Sequence, residues 1–278
     1  MINLSLRRIL ILATILVFLI IIVINNHAEI FSLFYSPKLT PEILEKSLQE
    51  KSIYYINNQT EEGNFVYEYH ILTNQPLMHR DNQVRQAGAL WGAALLYNYN
   101  RNPELRKVVE KGIHCFSNLV KENDKGKYVV YDETELGSTG TQALFILTCL
   151  EYLNTLPEKD TSKLIYERQL REYLNFLLSL KQENHHFHEK YHPIGGQPAG
   201  DYNPYYDGES LLAVCKSAKY FRDDSLRRIA LQCAEVFYDC YVAEALEEDP
   251  DSRLTKGFYQ WGTMSFYEIF SAGWDTAY

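Results

Sequence analysis

From Thr40 onward the chain alternates between nearly apolar stretches and amphipathic, charged ones. Thr40-Pro41-Glu42 reads as an N-cap, a first-turn proline and an early acid, and predicts a helix to about Asn57. Between Asn64 and His70, Phe65, Tyr67 and Tyr69 alternate with Val66, Glu68 and His70, a period of two that predicts a short extended segment. Asp81 to Tyr99 is helical and rich in alanine and glycine, which predicts close packing. A more charged helix follows from Asn102 to about Lys121, and Lys127 to Asp132 is again strand-like. Then apolar helices at Gly137 to Asn154, Asp207 to Tyr220 and Gly257 to Ala272 alternate with amphipathic ones at Thr161 to Lys181 and Ser225 to Ala243.

The apolar helices share a beginning. Gly88, Gly140, Gly208 and Gly262 each stand early in one, with large apolar residues close behind, so the repeating unit is a helical hairpin with a variable loop. Hairpins that pair an all-apolar helix with an amphipathic one predict an all-α fold in two layers, apolar helices inside and charged helices facing water. Closed in a ring, such hairpins make an α/α toroid; stacked, they make an open solenoid.

The N-terminus follows a different rule. Ile9 to Ile24 is unbroken by any polar residue except Thr14, with Arg7 and Arg8 before it and Asn25, Asn26 and His27 after. At 1.5 Å per residue it spans roughly 24 Å, which flanking residues can extend toward the ~30 Å hydrocarbon core of a bilayer. No small-residue cleavage pattern follows, which favours an uncleaved signal anchor over a signal peptide. The expected organisation is a cytoplasmic stretch 1–8, a transmembrane helix 9–25, a linker 26–39 and one domain 40–278, with the body outside the cytoplasm by the positive-inside rule.

Composition sharpens this in two ways. Hydrophobic residues make up 46% of the 278, ample for one large core. The net charge is −9, and the first 25 residues contribute two arginines and no acid, which leaves the body at −11. An acidic body argues against nucleic acid or anionic lipid as partners. The five cysteines stand singly inside predicted helices, without disulfide or zinc spacing.

The densest set of chemical groups is Asp201-Tyr-Asn-Pro-Tyr-Tyr-Asp-Gly-Glu-Ser-Leu-Leu212, where a polar aromatic loop becomes an apolar helix. Pro204 keeps Asn203 extended, Asp207 suits the N-cap, and Glu209 falls in the first turn. With Arg85-Gln-Ala-Gly-Ala-Leu-Trp and Gln260-Trp-Gly-Thr-Met, the run Tyr205-Tyr-Asp-Gly-Glu-Ser-Leu-Leu-Ala resembles the α/α-toroid enzymes, the six-hairpin glycosidases and their relatives among epimerases, polysaccharide lyases and terpenoid cyclases. The resemblance covers roughly 40–278. A full ring has about six hairpins, whereas four inner helices are visible here, so it implies a C-terminally truncated member or an incomplete ring.

In such a fold the loops leading into the inner helices converge at one end of the ring. The first junction offers Tyr67, Asp81 and Arg85, the second Asp132, Glu133 and Glu135, the third Asp201, Tyr205, Tyr206, Asp207 and Glu209, and the fourth Gln260 and Trp261. Asp81 is also a natural N-cap. Arg85, one turn inside a helix of small apolar residues, needs an anionic partner or a ligand. Glycoside hydrolysis requires two carboxyl groups about 5–10 Å apart, for which Glu209, Asp207 and Asp81 are the candidates. Arg85, Tyr67, Tyr205, Tyr206, Asp201, Gln260 and Trp261 are then the substrate-binding candidates, rings stacking on sugar faces and polar groups binding their edges. An epimerase or lyase would instead use a tyrosine or histidine base, with Arg85 holding a uronic carboxylate.

His185 to His192 holds four histidines and Glu189. Pro193, Gly195 and Gly196 follow at once, and a solvated loop is a better reading than a metal site. No phosphate loop, dinucleotide fingerprint or serine elbow is present, so no cofactor is expected. The reading is a membrane-anchored carbohydrate-active enzyme on an α/α toroid, against a glycan-binding or polysaccharide-assembly subunit on the same scaffold, with a terpenoid-cyclase-like role third.

Overall fold

A computed structural model describes residues 11–14, 16–18, 39–77 and 81–275. The chain divides into two compact units, Met1–Gln49 and Glu50–Tyr278. In the first, residues 11–14 and 16–18 are helical and exposed. The remainder of the expected transmembrane helix 9–25 lies outside the described residues. Among the described residues, no helix is long and apolar enough to cross a membrane.

The helices are α1 (Pro41–Asn58), α2 (Gln83–Asn100), α3 (Pro103–Ser117), α4 (Thr139–Leu153), α5 (Thr161–Ser179), α6 (Pro204–Phe221), α7 (Asp224–Tyr238), α8 (Ala245–Glu248) and α9 (Arg253–Ser271). A π-helical turn, Asp239–Glu244, joins α7 to α8. The two expected layers are present. Every residue of α4 is buried, whereas α3 buries only the stripe Leu105, Val108, Val109, Gly112, Ile113 and Phe116, and α7 only Leu226, Ala230, Cys233, Ala234 and Phe237. The inner helices pack in series, α2 on α4, α4 on α6 and α6 on α9, while α3, α5 and α7 cover α2, α4 and α6. Glycine allows the closest approach: a Cβ on Gly92 of α2 would lie 2.3 Å from the Tyr55 hydroxyl of α1.

Short strands carry the chain between hairpins. β1 (Tyr69–His70) pairs antiparallel with β2 (Gln75–Pro76), and β3 (Val120–Asn123) with β4 (Gly126–Val129). Only the end of the expected 64–70 segment is a strand, although Phe65 forms an isolated bridge with Gln59. The long loop between α5 and α6 folds back on the start of α4, where β5 (Gly137–Ser138), β6 (Lys190–Tyr191) and β7 (Pro198–Ala199) form a three-stranded sheet. Tyr191 on β6 is fully buried and donates to the Val129 carbonyl at 2.7 Å.

The register of the repeat is set by the caps, not by the glycines. Asn82, Ser138, Asn203 and Ser252 are the N-caps of the four inner helices. Four residues past the first three stand Gln86, Gln142 and Asp207, all buried, and each grips the backbone of an incoming segment. Gln86 accepts from Phe65 N and donates to its carbonyl. Gln142 accepts from Val129 N and donates to Lys127 and Tyr173 carbonyls. Asp207 accepts from Phe187 N at 2.8 Å. Nine residues past the first and fourth caps stand Trp91 and Trp261, whose ring centroids are 5.6 Å apart, so the two ends of the inner arc meet through indoles.

Three expectations at helix starts are corrected by these caps. Asp81 gives way to Asn82, whose side chain accepts from Arg85 N. Asp207 gives way to Asn203, because Pro204 is suited to the first helical position and starts α6 one turn earlier. α9 starts at Arg253, capped by Ser252, so Gln260 and Trp261 lie about two turns inside it and no fourth junction exists at their position.

Candidate active site

The loops before α2 and α4 and the start of α6 enclose a cleft of about 690 Å³, lined among others by Asp81, Tyr131, Asp132, Glu135, Ser138, Lys190 and Tyr206. Gln83 fixes its floor: its Oε1 accepts from Ser138 N and Thr141 Oγ1, and its Nε2 donates to the Leu136 carbonyl. Freed from capping, Asp81 accepts from Tyr131 Oη at 2.5 Å, from Gln86 Nε2 at 2.7 Å and from Asn82 N at 2.7 Å. Asp132 accepts from the hydroxyl and the backbone N–H of Thr134, which hold its carboxyl below the usual range. Tyr131 is shifted the other way by burial and by the Asp81 carboxylate, so its phenol stays protonated.

Ser138 is unusual for an N-cap. Its hydroxyl makes no capping bond. The residue lines the cleft but is 5% exposed, and its Oγ is buried without a hydrogen-bond partner.

Glu209 lies behind Tyr206. It is 3% exposed, its Oε2 has no partner, and burial raises its pKa from 4.5 to about 8. A Cβ on Gly140 would meet Glu209 Oε2 at 2.3 Å and the Tyr206 ring at 2.6 Å, so carboxyl and ring both rest on this one glycine. Six residues past their caps, α2 and α4 have Gly88 and Leu144 where α6 has Glu209. The architecture therefore has no need of an acid at this position.

Asp207 is committed elsewhere. Its Oδ2 lies 2.6 Å from both His186 Nδ1 and Tyr241 Oη, and its Oδ1 takes the Phe187 N–H. Burial raises its pKa even against these three donors. Tyr202 stacks on the His186 ring at 3.9 Å. The solvated loop expected for the histidine run is thus corrected at its centre, where His186 and Phe187 are buried. Among the described residues, no three of His, Cys, Asp and Glu come together to hold a metal.

Of the residues singled out in the sequence, the cleft gathers Asp81, Asp132, Glu135 and Tyr206, with Glu209 beneath. Arg85 is exposed and donates to Tyr67 Oη at 2.9 Å, so its partner is a phenol, not an anion. Tyr205 is 52% exposed and packs toward Gly257. Asp201 is exposed in the loop, where its carbonyl accepts from Glu189 N. Gln260 is exposed on α9, and Trp261 lies against Trp91 and Gly208. Ser138, Lys190 and Tyr131 were not singled out in the sequence; a serine one residue before an apolar helix is the signal that marks the first of them.

No family model matches the sequence, and no curated protein matches it at a significant level. Solved structures share its fold. A glycoside hydrolase family 76 α-mannanase of Bacteroides thetaiotaomicron superposes with a TM-score of 0.57 at 12% identity, over 73% of this chain and 57% of the mannanase. A family 76 mannosidase of the same organism gives 0.54 at 11%, over 82% of this chain and 83% of that one. A cellobiose 2-epimerase of Spirochaeta thermophila gives 0.53 at 14%, over 73% and 56%. This chain therefore spans little more than half the length of two of these three. At such identities the likeness is one of fold, the α/α toroid of the glycosidase-like enzymes.

Proposed function

We propose, from the α/α-toroid fold shared with these enzymes, that the chain acts on a carbohydrate polymer bound in the cleft at the N-terminal ends of α2, α4 and α6. Glu209 is the proton donor of this reading. The carrying observation is the contrast between two carboxyls: Glu209, with a pKa of about 8, keeps its proton at neutral pH, while Asp132 at the cleft wall is held ionised by Thr134. Carboxyl groups driven apart by their surroundings are what acid and base roles at one pH require. Asp81, braced by three donors, is the partner carboxyl on the α2 side. The Tyr206 and Tyr131 rings supply faces for a sugar. The apolar run 9–24 anchors the protein to a membrane in this reading, with the body outside the cytoplasm.

One observation favours a second reading, glycan binding without turnover: Glu209 lies beneath Tyr206 and is not itself part of the cleft wall. Glycan-array binding followed by product analysis separates the two. The enzyme reading expects new reducing ends or epimerised sugar from the wild type, and a Glu209→Gln variant that binds but does not turn over. Binding without product from the wild type overturns it in favour of the second reading.

A further inference from the structure

The cleft has a sign. Among the described residues, three carboxylates, Asp81, Asp132 and Glu135, line it against one cation, Lys190. The Lys190 ammonium already has the Glu189 carboxylate at 3.5 Å. The arginine that would have received a uronic acid, Arg85, is bonded to Tyr67 and does not line the cleft. Ser138, a lining residue only 5% exposed, has a buried hydroxyl without a partner, at a helix start where serine would ordinarily cap. A buried polar group left unpaired costs stability and calls for a ligand or water to satisfy it.

We infer that the cleft takes a polymer of amino sugars with free ammonium groups, in preference to neutral, N-acetylated or uronic chains. This rests on the carbohydrate reading above. An ammonium on the sugar ring would be flanked by carboxylates from the α2 side and from the loop before α4, beside the unpartnered Ser138 hydroxyl, with Tyr131 and Tyr206 offering ring faces. A uronic carboxylate in the same place would meet three like charges.

The test is calorimetric titration of the full chain with three oligosaccharide series of matched length: glucosamine oligomers with free amines, the same oligomers after chemical N-acetylation, and oligogalacturonate. The free-amine series should bind about five- to tenfold more tightly than its acetylated counterpart, the advantage that a few partly exposed ion pairs give. That advantage should shrink toward unity at 1 M salt, where the screening length is ~3 Å. Glu135→Gln and Asp132→Asn should each reduce the ratio, while Glu133→Gln, an exposed acid paired with Lys121 and not among the residues lining the cleft, should not. Equal binding of amine and acetylated chains, or tightest binding of the uronate, overturns this inference and leaves the carbohydrate reading standing. Binding of none of the three overturns both.

Discussion

His186 Nδ1 and Asp207 Oδ2 share a 2.6 Å hydrogen bond across 21 residues of sequence, and Tyr241 Oη reaches the same oxygen. With the Phe187 N–H on Oδ1, the carboxyl gathers three donors from the loop before α6 and the π-turn after α7. Asp207 is the third member of the series Gln86, Gln142 and Asp207, and its work is to fasten a loop to an inner helix. Asp207→Ala strands three buried donors at about 1–3 kcal/mol each, so a loss of at least about 3 kcal/mol in urea unfolding is expected. Asp207→Asn keeps an acceptor for Phe187 N and should cost less. Full stability of the alanine variant with abolished turnover would instead mark Asp207 as a participant in the chemistry.

Glu209 makes a prediction in pH. Its folded pKa of about 8 stands above the ordinary 4.5, so the folded chain holds this proton where the unfolded chain has lost it. The carboxyl's favourable share is complete below pH 4.5, declines as pH rises to about 8, and is gone above. Ionising it in place costs up to about 5 kcal/mol by linkage. Glu209→Gln should therefore match the wild type near pH 4.5 and exceed it progressively to pH 8, read as a growing Tm difference. Parallel Tm curves for the two proteins would show that Glu209 ionises freely.

The two-layer architecture was legible in the sequence because burial on all sides and burial on one stripe leave different patterns, as α4 and α3 show. Asp81 and Tyr206 could be placed at one end for the same reason, since helix starts are readable locally. What was not legible depends on contacts distant in sequence. Glycines marked the repeat visibly, yet Gly88 and Gly140 stand six and two residues past their caps, so aligning on them displaced the register. Gln86 and Gln142 gave no sign in the sequence of clamping Phe65 and Val129, because side-chain bonds to a passing backbone have no sequence period. The phenolic partner of Arg85 is 18 residues upstream, beyond the reach of any local pattern.

Gly140 lets Glu209 and Tyr206 share one place. A methyl group there meets Oε2 at 2.3 Å and the ring at 2.6 Å, so Gly140→Ala must displace one of them. Overpacking of this kind costs about 1–3 kcal/mol. Because Tyr206 lines the cleft, glycan affinity should fall together with stability. By contrast, Gly88→Ala, whose methyl would find Leu144 at an ordinary 3.7 Å, should leave both nearly unchanged. Equal effects of the two substitutions would remove the special role given to Gly140.

At the opposite ends of the same helices a second polar system joins all four. Asn98 on α2 donates to Glu151 Oε2 on α4 at 2.7 Å; Lys216 on α6 lies 2.8 Å from Glu151 Oε1 and 3.5 Å from Glu268 on α9, and Lys219 reaches Glu268 as well. Burial alone would lower the Lys216 pKa, but the two carboxylates outweigh it and the shift is upward. Glu151 is 3% exposed, with the Lys216 ammonium as its partner. Lys216→Met should cost about 3–5 kcal/mol, most of it the penalty of a buried carboxylate left without its cation. Glu151→Gln keeps the Asn98 contact and removes the charge, so adding it to Lys216→Met should restore more than half of the loss. A double mutant as unstable as Lys216→Met alone would place the cost in lost packing of the lysine stem, and the link across the four inner helices would then be steric and not electrostatic.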